Sequence, residues 1–167
     1  MNPDRVRKRP GTPPLALRQF REGDFDDLAA LNAYGLAAAG IKAADDYYSD
    51  EDFRDLQNTY AEDAGGTLLV GEINDRIVAM GGIRRTGPSS CELLRMRVYP
   101  QYQGQGFGTL ILESLETVAR RLAYRRITLI TGRHQHPAVD LYARHGYRTV
   151  KEESILGIPC VHMAKEL

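Results

Sequence analysis

Residues 91–122, CELLRMRVYPQYQGQGFGTLILESLETVARRL, decide the fold of this chain. Residues 91–99 are apolar and extended in character, and Pro100 ends the strand that they predict. The glycine-rich stretch 103–108 leads into a run in which apolar residues recur every three or four positions, which gives a helix one buried stripe. The stretch therefore predicts a strand, a glycine turn and an amphipathic helix that begins at the glycines.

The glycine turn predicts a phosphate-binding site. The first turn of a helix carries backbone N–H groups without a helical acceptor, together with the positive end of the helix dipole. Gly104, Gly106 and Gly108 have no β-carbon, so a phosphate group can approach these amides closely. Two known phosphate loops do not fit, because no Gly-Lys-Ser/Thr follows the glycines and the spacing differs from the Gly-x-Gly-x-x-Gly of dinucleotide-binding proteins.

The composition is that of an ordinary soluble globular protein, with 43% hydrophobic and 26% charged residues. The length suits a single domain, which we expect at residues 14–167. The 22 basic and 22 acidic side chains cancel, which argues against a nucleic-acid binder. Residues 1–13 are rich in arginine and proline and predict a flexible basic tail, with a polybasic docking arm as the alternative.

Location and metal binding are also constrained by the sequence. No segment has the apolar length of a membrane span or of a signal peptide, so we expect a cytoplasmic protein that does not enter a membrane. Cys91 and Cys160 are too few for a disulfide framework, and we expect buried thiols. His134 and His136 share no helical face with a carboxylate at metal-ligand spacing, so we expect no metal and assign both to a polar loop.

The rest of the chain alternates between helical and extended patterns. A strand at 126–131 follows the central strand through a helix, so these two strands should be parallel. Residues 74–76 predict a hairpin turn, and Gly81 and Gly82 predict a bulge or a close backbone approach. A loop that contains residues 157–159 joins the last two strands, which offer an edge for pairing between two copies, so a homodimer stays open. We further expect strands at 15–20, 67–73, 77–84, 147–152 and 160–167, and helices at 24–39, 49–62 and 137–145.

Two motifs carry a family resemblance. The pattern Gln-x-x-Gly-x-Gly at 103–108, after a strand ending in RMRVYP, resembles the acetyl-CoA-binding motif of the GCN5-related N-acetyltransferase (GNAT) superfamily. Residues 138–147, AVDLYARHGY, are similar to the A-x-x-(L/F)-Y-x-x-x-G-(F/Y) segment of the same family. The resemblance covers nearly the whole chain from about residue 15. It implies the α/β (α+β) GNAT fold, with a mixed, mostly antiparallel central sheet, a splayed parallel strand pair and flanking helices.

The resemblance also implies where acetyl-CoA binds. The donor would lie in a cleft where the strands ending near Val98 and Thr131 splay apart, and a β-bulge near residues 96–98 would free backbone groups for the pantetheine arm. The Val98 N–H would then donate to the thioester oxygen, and the amides of residues 103–109 would hold the diphosphate. Gln135 stands where many members have asparagine. The implied binding residues are Met96, Arg97, Val98, Gln103, Gly104, Gln105, Gly106, Phe107, Gly108, Thr109, Gln135 and Ala138.

Acetyl transfer to an amine needs an uncharged nucleophile, stabilisation of the oxygen charge and a proton for the departing thiolate. Glu92 resembles the family's glutamate base by its spacing from the glycine turn, and it alternates with Leu94 and Met96 along the strand. A salt-bridged carboxylate and a water chain as base are the alternatives. Tyr142 matches the tyrosine that donates a proton to the coenzyme A thiolate, with a packing role as the alternative.

The implied enzyme transfers an acetyl group from acetyl-CoA directly to a primary amine in a ternary complex. An acidic connector favours a cationic acceptor slightly, although acidic residues in a first helical turn also stabilise the helix. A catalytically silent acyl-CoA sensor is the alternative function, and a nucleotide-dependent oxidoreductase matches less well. The connector residues, some of which belong to the segment that shapes the acceptor pocket in the family, are Asp45, Asp46, Tyr47, Tyr48, Asp50, Glu51 and Asp52.

Overall fold

The computed structural model of the protein describes residues 14–38, 40, 52 and 55–167. The predicted basic tail, most of the acidic connector and the predicted start of the second helix lie outside the described residues. None of the described helices combines the length and the apolar composition that crossing a bilayer requires.

The strands of the central sheet are β1 Ala16–Gln19, β2 Thr67–Ile73, β3 Arg76–Gly87, β4 Ser90–Val98, β5 Arg126–Gly132, β6 Arg148–Ile155 and β7 Ile158–Glu166. Within the described residues they form one seven-stranded sheet in the order β1-β2-β3-β4-β5-β7-β6. β4 and β5 run parallel, and the other neighbouring pairs run antiparallel. This mixed, mostly antiparallel sheet confirms the fold class that the sequence predicts.

Helices cover both faces of the sheet: α1 Phe25–Ala38, α2 Leu56–Tyr60, α3 Phe107–Arg121 and α4 His136–Arg144. Ile111, Leu112 and Leu115 of α3 pack on one face together with residues of α4, and α1 and α2 form a second cluster on the other face. The buried stripe of α1 begins at Leu28, because Phe25 at the first position of the helix is 46% exposed. The second helix ends at Tyr60, since Ala61 already has extended backbone.

Two glycines in β3 let the helices on both faces approach the sheet. A β-carbon on Gly81 would lie 2.5 Å from the sulfur of Met96 and 2.7 Å from a methyl group of Ile111. A β-carbon on Gly82 would lie 2.8 Å from the ring of Tyr60 on the opposite face. The predicted close backbone approach is therefore confirmed.

Both hairpin turns are tighter than the sequence patterns predict. Asn74 and Asp75 have positive φ values of 49° and 60° and alone separate the paired ends of β2 and β3. Leu156 and Gly157 form the matching turn between β6 and β7. The predicted longer loop that contains residues 157–159 was wrong, because residues 153–155 already pair with residues 158–160 at the ends of β6 and β7.

Candidate active site

The parallel strands separate soon after they begin. β4 and β5 pair from Ser90 with Arg126 to Glu92 with Thr128 and no further. Beyond this point β4 stays paired with β3, and β5 stays paired with β7. The predicted splay is confirmed, and it opens a cavity lined by residues of β4, β5 and α4, among them Leu93, Leu94, Met96, Leu129, Thr131 and Tyr142.

A β-bulge lies where β4 borders this gap. Gly82 pairs with Leu94 and Met80 pairs with Arg97, so Arg95 and Met96 together face Gly81. Arg95 has a φ of +59°. The predicted bulge is confirmed, one residue nearer to the N-terminus than expected.

The bulge reverses the alternation of side chains along β4. Leu94 packs against the cluster of α1 and α2, whereas Met96 packs against the cluster of α3 and α4. An extra residue in one strand moves every later side chain to the other face. The predicted common alternation of Glu92, Leu94 and Met96 was therefore wrong beyond Leu94.

The backbone of Val98 faces the gap between β4 and β5. The N–H of Tyr99 donates to the carbonyl of Val78 at 3.0 Å, and the alternation of an antiparallel ladder then turns the N–H and C=O of Val98 to the opposite edge. The Val98 carbonyl accepts a hydrogen bond of 2.9 Å from the side-chain amide of Gln103. This bond joins the end of β4 to the glycine turn.

The glycine turn leaves the start of α3 open. Gly104 and Gly106 have φ values of +70° and +83°, in the left-handed region that favours glycine. The Leu110 N–H donates to the Gly106 carbonyl at 3.0 Å, so the N–H groups before Leu110 lack an acceptor one turn back. Within the described residues no side chain caps this end, and its first turn holds no acidic residue. The positive end of the helix is therefore available to an anion.

One groove of about 570 Å³ connects this helix start with the gap beside β4. Its volume falls within the range of about 300–1,000 Å³ that is usual for small-molecule sites. Gln105 is buried and its side-chain amide donates to the Gln101 carbonyl at 3.0 Å, so that side chain does not line the groove. The predicted binding residues that do line it are Met96, Arg97, Val98, Gln103, Gly104, Gly106, Phe107, Gly108, Thr109, Gln135 and Ala138.

Sequence reasoning missed the contribution of α1 to this groove. A β-carbon on Gly35 would lie 2.0 Å from the Cδ of Arg97, so this glycine lets the Arg97 side chain cross α1. A glycine inside a helical pattern is the signal that could have indicated the contact. The other lining residues without a predicted role are Tyr34, Ala38, Tyr102, His134, Pro137, Leu141 and Arg144.

Tyr142 lies where the groove meets the cavity in the gap, and it lines both. The residue is only 6% exposed, and its ring meets the Tyr147 ring edge to face at 5.7 Å. Burial raises the pKa of Tyr142 to about 12, against the opposite effect of the positive charge on Arg97. The hydroxyl therefore keeps its proton at neutral pH and can donate it.

Gln135 and His134 lie in the connection between β5 and α4, and both line the groove and the cavity. The side-chain oxygen of Gln135 accepts a hydrogen bond of 2.9 Å from the Thr131 hydroxyl. This bond fixes the start of α4 relative to the end of β5. His134 is the loop histidine that the sequence predicts, and the structure places it at the cleft.

Glu92 is placed apart from Tyr142. Its carboxylate forms an ion pair with Arg84, with Oε2 at 2.8 Å from Nη2 and a hydrogen bond of 2.9 Å from Nε. Glu92 is not among the described residues that line the cavity or the groove. Glu92 is therefore the salt-bridged carboxylate that the sequence analysis gave as an alternative, and its role as a base stays a prediction.

A family model described as the acetyltransferase (GNAT) family matches residues 33–147. N-acetyltransferase 8 of Rattus norvegicus is 29% identical over 106 residues, which cover 60% of this chain and 48% of that protein. The probable N-acetyltransferase camello of Xenopus tropicalis is 26% identical over 128 residues, covering 75% of this chain and 58% of that protein. The chain spans about half the length of the curated relatives it matches.

Solved structures share the fold at low identity. A GNAT-family acetyltransferase from Staphylococcus aureus Mu50 superposes with a TM-score of 0.82 at 18% identity, covering 92% of this chain and 99% of that one. PaiA N-acetyltransferase from Thermoplasma acidophilum, in complex with coenzyme A, gives 0.73 at 16% identity over 93% of this chain and 100% of that one. YncA from Salmonella typhimurium, with acetyl-CoA, gives 0.72 at 20% identity over 92% of this chain and 94% of that one. Because the matching family model spans the bulge, the glycine turn and α4 as far as Tyr147, this chain belongs to the acetyltransferase (GNAT) family.

Proposed function

We propose that this protein is an N-acetyltransferase that takes an acetyl group from acetyl-CoA and transfers it directly to a primary amine bound beside the donor. The observation that carries the proposal is the continuous groove from the open start of α3 to the gap between β4 and β5. The Val98 N–H faces this gap, and Tyr142 lines it. Family membership supports the class of reaction.

The described residues fit the chemistry of acetyl-CoA. A diphosphate suits the N–H groups of residues 107–109 at the uncapped start of α3, whereas the Gln103 N–H, which the sequence assigned to the same role, already donates to the Pro100 carbonyl at 3.1 Å. Arg144 adds a positive charge to the same groove. The Val98 backbone and the Gln135 side chain supply polar groups for the amide-bearing arm that leads to the thioester. PaiA and YncA were solved with coenzyme A and acetyl-CoA, which supports the same donor for this chain.

Two groups of the chain act on the thioester. The Val98 N–H donates a hydrogen bond to the thioester oxygen and stabilises the negative charge that develops there during attack by the amine. Tyr142 donates a proton to the sulfur of the leaving thiolate, because its buried hydroxyl stays protonated at neutral pH. No covalent bond between the enzyme and the acetyl group is needed for this transfer.

The amine must lose a proton before or during attack, since an alkyl ammonium is almost wholly protonated at pH 7. Two side chains compete for this proton. Glu92 is held by Arg84 and does not line the cavity, so it would need an intervening water molecule to reach the amine. His134 lines the cavity directly, and a neutral imidazole can accept a proton.

A cationic acceptor has less support after the position of Asp52 is known. Asp52 is buried and paired with Arg95, so it does not present its charge to a substrate. The preference then rests on Asp45, Asp46, Asp50 and Glu51, which lie outside the described residues. We therefore propose a primary amine as the acceptor, and a panel of polyamines, amino sugars, amino acids and peptides distinguishes the candidate classes.

The test is thiol release from acetyl-CoA across that panel, with calorimetric titration of coenzyme A in parallel. We expect release with at least one amine and binding of coenzyme A in every preparation. Binding without release from any amine would favour the silent acyl-CoA sensor. The absence of heat on titration of coenzyme A would reject both functions.

A further inference from the structure

Behind the bulge of β4, four polar side chains that are almost fully shielded from solvent form what we name the Arg95 network: Arg95, Asp52, Asn32 and Tyr60. The Nε of Arg95 donates to Oδ2 of Asp52 at 2.8 Å, and Nη2 donates to Oδ1 of the same carboxylate. Nη1 donates to the Asn32 side-chain oxygen at 3.0 Å, and the Tyr60 hydroxyl donates to Asp52 at 2.5 Å. The network thus ties the bulge to α1 and α2.

We propose that Arg95 is a positioning residue, which holds the β4 bulge through its paired contact with Asp52 so that the Val98 N–H faces the thioester. This inference rests on the proposed acetyl transfer. It assigns a function to a shielded ion pair, which acts on the backbone of β4.

The backbone of Arg95 needs a restraint from its surroundings. Its φ of +59° lies in a region that residues other than glycine seldom adopt and keep only when their surroundings hold them there. A guanidinium bound at two nitrogens to one carboxylate is a strong and directional restraint. With 9% of the Arg95 side chain and 3% of the Asp52 side chain exposed, water cannot easily replace either partner.

The bulge also sets the register of the strand that follows it. The extra residue in β4 decides which edge each later N–H faces, because side chains and hydrogen-bonding directions alternate with a period of two. Val98 is the second residue after the bulge along β4, and its N–H faces the gap in the observed register. A bulge that relaxes would turn that N–H toward β3 and away from the donor.

The charge of Arg95 is directed away from the gap. Arg95 lines the cavity, yet its guanidinium nitrogens are bonded to Asp52 and Asn32 on the side of α1 and α2. Burial opposes the ionisation of Asp52, but the hydrogen bonds and charge of Arg95 and the Tyr60 hydroxyl outweigh it and lower the pKa of this carboxyl. The pair is therefore ionised at neutral pH and acts on the backbone of β4.

The test compares Arg95→Met with Lys165→Met. Lys165 also pairs with a buried carboxylate, that of Glu116, outside the Arg95 network, and its ammonium lies 5.6 Å from the centre of the Tyr147 ring. Its variant therefore reports the loss of a buried ion pair whose hydrogen bonds, among the described residues, join Lys165 to Glu116 and not to the bulge. We expect Arg95→Met to lower kcat on the order of 100-fold, the effect of removing one oxyanion donor. The Kd for coenzyme A should rise much less, on the order of the effect of one lost hydrogen bond, because the start of α3 that suits the diphosphate is not part of the bulge. Lys165→Met should leave both quantities unchanged below its unfolding temperature. Arg95→Lys should recover part of the lost kcat.

A second readout does not depend on activity. In amide spectra of ¹⁵N-labelled protein, Arg95→Met should shift the Val98 resonance strongly, and Lys165→Met should leave it in place. An unmoved Val98 resonance, or a full kcat in Arg95→Met, would overturn the proposal. If Arg95→Met does not fold, the same comparison is made with Tyr60→Phe, which removes only the hydroxyl that donates to Asp52. Failure of the wild type to acetylate any amine would instead reject the proposed function and leave the spectral test of the bulge intact.

Discussion

The side-chain amide of Gln103 donates a hydrogen bond of 2.9 Å to the carbonyl oxygen of Val98. Gln103 belongs to the glycine turn before α3, and Val98 ends β4 at the gap. One bond therefore links the part of the groove suited to a diphosphate with the part suited to a thioester. The sequence assigned the binding role of Gln103 mainly to its main chain, and the structure adds this side-chain contact.

Gln103→Ala should weaken binding of coenzyme A. The lost bond contributes about 1 kcal/mol, which corresponds to about a fivefold rise in Kd. Calorimetric titration measures this change. Gln101→Ala is the matched control, because Gln101 takes part through its backbone carbonyl, which the substitution keeps. An equal Kd for wild type and Gln103→Ala would show that the bond does not order the groove.

Gly104→Ala should lose coenzyme A binding beyond its effect on stability. At a φ of +70° a β-carbon costs about 1–2 kcal/mol of backbone strain. Gly157→Ala is the control, because Gly157 has a φ of +79° and, like Gly104, has open space where a β-carbon would lie, but belongs to the turn between β6 and β7. Both variants should unfold at similarly lower temperatures, and only Gly104→Ala should raise the Kd. A raised Kd in both variants would point to a general loss of stability.

Tyr142→Phe should lower kcat by about 10²–10⁴, the usual contribution of a general acid, and should keep the Kd for coenzyme A. Tyr147→Phe serves as the control, since its ring contacts Tyr142 but does not line the groove.

The raised pKa of Tyr142 also fixes the direction in which kcat should depend on pH. The protonated donor is lost only as the pH approaches about 12, so Tyr142 should cause no decline of kcat between pH 7 and pH 10. A decline in that range that disappears in Tyr142→Phe would contradict the assignment.

Glu92→Gln and His134→Gln separate the two candidate bases. A side chain that takes the proton directly contributes about 10²–10⁴ to the rate. Because Glu92 is held by Arg84 and His134 lines the cavity, we expect the larger fall of kcat/KM at pH 7 from His134→Gln. Arg84→Gln controls for loss of the ion pair. A fall of about 100-fold or more in Glu92→Gln alone would establish the base role that the sequence predicts.

Local chemistry explains what the sequence predicted well. Gly104 and Gly106 adopt positive φ values, and the missing β-carbon of Gly81 leaves room for Met96. Tyr142 lines the groove from the helix that its motif indicates. Each of these features needs a particular residue type at one place in the chain. Their signals can therefore be read without knowing the partner elements.

Pairs between distant parts of the chain left no such signal. Asp52 was interpreted as part of the acidic connector at the start of a helix, and only the fold brings it to Arg95. The face on which Met96 lies was missed for a related reason. One extra residue in β4 reverses the alternation of side chains between the two faces, and the apolar pattern of the sequence does not show this residue. Glu92 shows the spacing of a base, while its partner Arg84 is only eight residues earlier and lies directly opposite on the adjacent strand β3. The register of the two strands, which the residue pattern left open, decides this pair.

Asp52→Asn should reduce the acid sensitivity of the fold. The pKa of Asp52 lies below its ordinary value of 3.8 in the folded protein, because Arg95 and Tyr60 together outweigh the opposing effect of burial. A lowered pKa in the folded state adds stability that is fully present above pH 3.8 and is lost as the pH falls toward the folded-state pKa. Urea unfolding at pH 6 and at pH 3 measures this loss.

Asp52→Asn should be about 3 kcal/mol less stable than the wild type at pH 6, since it leaves the shielded Arg95 guanidinium beside a neutral partner. The difference should narrow at pH 3, whereas Leu110→Ala, at an exposed non-ionisable position of α3, should keep the pH dependence of the wild type. Equal stability loss in Asp52→Asn at both pH values would show that the carboxylate charge contributes nothing to the Arg95 network.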